Sequence, residues 1–155
     1  MSNKGQSLIE ALVALGAAVV IISAVAISVI TAVNNADYSK IQNQATAYAS
    51  SEMEVLHQQS RADWTTFNGA TYLGTHCVDE NGIMSLPSGG ICPPPNTGNF
   101  KRQVDINPGD INNCSSATRV IVTVFWKDGR CPVSDYCHNT KLESCFTNIN
   151  TLPTP

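Results

Sequence analysis

Apolar and polar positions divide this chain into three stretches. From Leu8 to Val33 the residues are almost all apolar or small, broken by one charge, Glu10. From Asn34 to about Ser60 the pattern becomes amphipathic. Tyr38, Ile41, Ala45, Ala49, Met53 and Leu56 recur at steps of three and four, the spacing of one helical face. Asp37, Lys40, Gln44, Ser51 and Glu54 fall largely on the other sides. No proline interrupts Gln6 to Gln59, so the pattern predicts one long helix through both stretches. Its second half is expected to pack on the chain's own core.

Beyond residue 60 the period falls to two. Arg119–Trp126 reads as the strongest strand, β-branched and aromatic, with Val120, Val122, Val124 and Trp126 on one face and Ile121, Thr123 and Phe125 on the other. Phe100–Ile106 is a second strand, stopped at Asn107-Pro108-Gly109-Asp110, and Lys141–Ile149 a third. Residues 71–86 suggest a hairpin about Asn81-Gly82. The proline-rich stretch Pro87–Gly98 reads as a loop, and Cys131–Cys145 as an insertion between the last two strands. The expected fold is α+β: a long N-terminal helix packed on a small antiparallel β-sheet, stabilised by disulfides. The expected divisions are a leader (1–5), a transmembrane and assembly helix (6–33), its amphipathic continuation (34–60) and a β domain with cysteine-rich loops (61–155).

The chain has 155 residues, so about 120 remain for a small core once the apolar segment is set aside. Net charge is −3 with no basic run, which argues against nucleic acid as the main partner. Lys101, Arg102, Arg119, Lys127, Arg130 and Lys141 are scattered and read as a solvated face. All six cysteines, Cys77, Cys92, Cys114, Cys131, Cys137 and Cys145, follow the apolar segment. An even set in a small domain behind a membrane signal reads as disulfides made in an oxidising compartment, with the pairing undetermined by sequence.

Three readings compete for the N-terminus. A cleaved secretory signal has Lys4 and an Ala24-Val25-Ala26 triplet in its favour, yet the apolar run continues past that triplet to Val33. A plain single-span anchor fits the length: about 25 residues rise about 38 Å as a helix, against a hydrocarbon core near 30 Å. Lys4 would hold its N-terminus in the cytoplasm. Neither explains Glu10, since an ionised carboxylate in lipid costs several kcal/mol unless it is paired.

The segment Gly5-Gln6-Ser7-Leu8-Ile9-Glu10-Ala11-Leu12-Val13-Ala14-Leu15 resembles the processing site of type IV prepilins and type II secretion pseudopilins. The resemblance covers about 12 residues, or roughly 30 with the span. It implies cleavage between Gly5 and Gln6 by a prepilin peptidase, usually followed by N-methylation. It implies also that Glu10, fifth in the mature chain, pairs with the terminal amine of a neighbouring subunit. Gln6 departs from the usual Phe or Met at the first mature position. Where major pilins commonly carry a helix-kinking proline there is Ile27, which leans toward a V-type minor pilin or an I-type pseudopilin, as does Ala47–Leu56. The partners so implied are other pilin or pseudopilin subunits, a prepilin peptidase/N-methyltransferase, an inner-membrane assembly platform and, before assembly, membrane lipid. The expected location is the cytoplasmic membrane and then an extracytoplasmic filament.

No catalytic motif appears, so the expected role is structural, without cofactor. Cys131, Cys137, His138 and Cys145 invite a metal reading, but the spacing lacks paired knuckles and disulfides are the expectation. His76 is no better placed as a ligand, and His57 is expected at the surface. Asp79, Glu80, Asp105 and Asp110 match no Ca²⁺ loop. Asn113-Cys114-Ser115 satisfies the glycosylation pattern. The remaining alternatives are a pseudopilin, an anchored adhesin or binding domain, and a secreted enzyme.

Overall fold

The computed structural model describes residues 4–88, 92–93, 98–109, 114, 117–132 and 136–148. Helix α1 spans Lys4–Ala62 and a single turn, α2, spans Trp64–Phe67. Five strands follow: β1 (Gly74–Val78), β2 (Met84–Ser85), β3 (Phe100–Pro108), β4 (Thr118–Trp126) and β5 (His138–Phe146). The chain divides into two compact units, residues 1–40 and residues 41–155.

In the first unit, α1 from Leu8 to Val33 is apolar on every side apart from Glu10. The large side chains from Leu8 to Val33 stay more than half exposed, from 53% at Val33 to 69% at Val20. A water-soluble helix does not leave so continuous an apolar surface bare. The segment lies in a helix long and apolar enough to cross a membrane. Its hydroxyls suit that solvent: Ser23 Oγ and Thr31 Oγ1 donate to the carbonyls of Val19 and Ile27 one turn back. Donors satisfied within the helix need no water.

The second unit is α+β. Its sheet runs β2-β1-β3-β4-β5, and every pairing is antiparallel. The period-two pattern fixes which face is buried. Val104 lies opposite Val122, Ile106 opposite Val120, and Phe100 opposite Trp126. Against this face α1 lays Ala45, Ala49, Met53 and Leu56, and all of these helix and strand residues are buried. The small Ala45 and Ala49 allow close approach, while Leu56 and Met53 fill the core. Asp63 caps α2 by accepting from Thr66 N, and that turn delivers the buried Phe67 against Phe146, ring centres 5.6 Å apart.

Some boundaries differ from the sequence pattern. β3 does not stop at Ile106 but continues through Asn107 and Pro108, which pair with Arg119 and Thr118 of β4. β5 begins at His138 rather than Lys141, because His138, Asn139 and Thr140 pair along β4 with Trp126, Phe125 and Val124. The connection between the last two strands is therefore residues 127–137, and Cys145 lies inside β5. The hairpin about Asn81-Gly82 forms between β1 and β2, with Gly82 at φ 77°, the left-handed conformation such a turn requires. Most of the Pro87–Gly98 loop, and Ile149 at the end of the third expected strand, lie outside the described residues.

Candidate functional site

Gly5 and Gln6 belong to the first turn of α1, where backbone N–H groups lack intrahelical acceptors. Glu10 stands one turn further on, exposed, at a shallow open groove lined by Ile9, Val13, Ala14 and Ala17. Helical spacing continues this face through Ala24 and Ser28, interrupted by Ile21, whereas Leu12, Leu15, Val19, Ile30 and Val33 occupy the far side. One charge thus heads a face of small residues. In lipid, small residues let helices approach closely, and a buried carboxylate needs a cation or donor brought by a neighbour.

The second unit holds a buried carboxylate, which sequence reasoning missed. Glu52, 3% exposed, lies 3.3 Å from Nη1 of Arg102, 6% exposed. Arg102 also donates to the carbonyl of Asp79 and lies 5.5 Å from the ring centre of Tyr48. Burial pushes the Glu52 carboxyl above its usual value, and the Arg102 charge opposes that shift. The signal was present in the sequence. Glu52 falls between Ala49 and Leu56 on the apolar helical face, and Arg102 alternates inward with Phe100, Val104 and Ile106.

The remaining basic residues are distributed rather than gathered. Arg119 pairs with Glu143, which also takes Lys141, and Arg130 pairs with Asp128. Lys101 sits over the ring of Phe125 at 4.5 Å. His57 is a correction: it is half-buried and stacks on Phe146, ring centres 4.0 Å apart. His76 is buried between the carbonyls of Gly74 and Thr71. Asp79 accepts from the backbone of Asn81 and Ile83, Glu80 from Gly98, and Asp105 from Thr75 and Gln103. Asp110, Asn113 and Ser115 lie outside the described residues.

The six cysteines form Cys77–Cys92, Cys114–Cys145 and Cys131–Cys137. The first ties β1 to the proline-rich loop, the second ties residue 114 to β5, and the third closes the β4–β5 connection. Beside the third, Asp128 accepts from the backbone and side chain of Arg130, and these bonds, with a smaller one from His138, hold its carboxyl down at about 2. No family model, characterised protein or solved structure matches the chain.

Proposed function

We propose that the chain is a structural subunit of a type IV pilus-like filament, of the minor-pilin kind, acting by assembly and not by catalysis. The observation that carries this reading is Glu10, the one charge between Leu8 and Val33 on an exposed apolar helix surface, set at the head of a face of small residues. The resemblance of Gly5–Leu15 to a prepilin processing site supplies the missing partner. A peptidase removes residues 1–5, and the amine of Gln6 becomes the cation for a neighbour's Glu10. Before assembly the span rests in the cytoplasmic membrane with the disulfide-bonded unit outside. An assembly platform then moves it out of lipid, and packing against other subunits replaces the lipid around it. A type II secretion pseudopilin would use the same contacts in a periplasmic filament.

The N-terminus separates this reading from its rivals. Intact mass and N-terminal sequencing of the membrane-associated protein are expected to give a chain starting at Gln6. A start near Ile27 identifies a cleaved signal, and retention of Met1 identifies a plain anchor; either result contradicts the proposal.

A further inference from the structure

The β4–β5 connection brings together Asp128, Cys131, Cys137 and His138, whose carboxylate, sulfur and ring-nitrogen atoms all lie within 4.8 Å of one another. We propose that this connection is a redox-gated Zn²⁺ site, closed as a disulfide and opened to a Cys₂-His-Asp ligand set when Cys131–Cys137 is reduced. In a tetrahedral zinc site, with Zn–S near 2.3 Å and Zn–N near 2.0 Å, ligand atoms stand about 3.3–3.8 Å apart. The four groups are close to that spacing before any rearrangement. Parting the two sulfurs is the main adjustment, and reduction supplies it.

The two ligands that are not cysteines are already oriented. The His138 ring stacks on the buried Trp126, centres 5.6 Å apart, with Nε2 3.2 Å from Asp128 Oδ1. Arg130 holds Asp128 from the other side, its guanidinium on Oδ2 and its backbone N–H on Oδ1. Such supporting bonds fix ligand orientation, and the Arg130 charge offsets the excess negative charge of two thiolates and a carboxylate around one divalent ion.

This disulfide is also the one most open to exchange. Cys137 is exposed and Cys131 half-buried, so neither sulfur is enclosed; Cys145 is exposed too, but its partner Cys114 is 5% exposed, and Cys77 and Cys92 are 4% and 1% exposed. It closes a sequence separation of 6 residues against 15 and 31, so it removes the least chain entropy from the unfolded state. Thiol exchange requires access to a sulfur. A dithiol donates two electrons and two protons, the Cys131–Cys137 bond breaks, and the dithiol becomes a disulfide. Zn²⁺ then displaces the two thiol protons as it binds. Oxidation by a disulfide-forming partner reverses both steps and releases the ion. This site is independent of the assembly role of α1.

The test uses the full chain in detergent micelles, titrated with a dithiol and followed by peptide mass mapping. Cys131–Cys137 is expected to open first, and the partly reduced chain to take one Zn²⁺, measured by chelator competition. Co²⁺ in its place should give the intense visible bands of a tetrahedral thiolate site. His138→Ala and Asp128→Ala should each weaken zinc binding at least about tenfold. The double variant Cys131→Ser/Cys137→Ser, with the other two disulfides intact, should bind none. Earlier opening of another disulfide, no uptake by the reduced chain, or undiminished affinity in His138→Ala and Asp128→Ala would each overturn the proposal.

Discussion

Glu10→Ala should leave leader removal and membrane insertion intact and abolish incorporation into filaments. The argument rests on what lipid and a helix bundle each demand of a carboxylate. On the proposed role, Glu10 in the membrane would lie within about two turns of the helix start, near enough to the interface to reach water or polar headgroups. Losing it there removes a cost and makes the span more apolar. On the proposed assembly role, neighbouring helices would enclose the same position in a filament, and the mature amine of another copy would need an anion. Attraction between two unit charges at 4 Å rises from about 1 kcal/mol in water to about 4 kcal/mol at an effective dielectric of 20. Removing one partner leaves the other charge enclosed and unpaired, typically a loss of about 3–5 kcal/mol. Glu10→Gln, which keeps the shape and loses the charge, should fail almost as completely. Immunodetection in sheared filaments and in membranes reads both compartments. Normal incorporation of Glu10→Ala would refute the pairing.

The second large effect concerns Glu52 and Arg102. Truncating either one is expected to destabilise the second unit by about 3–5 kcal/mol, because the survivor remains buried without its counter-charge. Arg102 loses more than its ion pair, since it also donates to the Asp79 carbonyl and packs beside Tyr48. Replacing both together, Glu52→Leu with Arg102→Met, should recover most of that loss, because burial outweighs the Arg102 charge at the Glu52 carboxyl and well-packed apolar residues commonly replace a buried ion pair without loss. Denaturant unfolding of the three variants gives the coupling directly. If the double variant is as unstable as the sum of the singles, Glu52 and Arg102 are not coupled and the account of the pair is contradicted.

The pH dependence follows the same sign. With its folded value raised, Glu52 contributes stability that is present below the unfolded glutamate value and lost as pH rises through the folded one. Asp128 acts oppositely, its contribution present above the unfolded aspartate value and lost as pH falls toward about 2.

Much of the architecture was written in the two periodicities. The three-and-four spacing of Ala45, Ala49, Met53 and Leu56 marked the helix face that is buried, and the alternation of Val120, Val122, Val124 and Trp126 marked the inner face of β4. The start of β5 was not legible, because His138-Asn139-Thr140 carries no apolar alternation and becomes strand only through its pairing with β4. Propensity yields to tertiary context there. Disulfide pairing was beyond the sequence, since it depends on which strands lie side by side. Glu52 and Arg102 were legible in principle. Each occupies a core position in its own periodic pattern, and a charge at such a position calls for a partner. The closeness of Asp128 to His138 was hidden, because the turn that joins them is set by the β4–β5 register.

Carbodiimide cross-linking of assembled filaments, read by peptide mass spectrometry, tests the central claim most directly, because it bonds only a carboxylate and an amine already in contact. The prediction is an amide between the Glu10 side chain and the N-terminal amine of a neighbouring mature subunit. Glu10 recovered without that link, or the chain recovered from filaments still carrying Met1–Gly5, would contradict it.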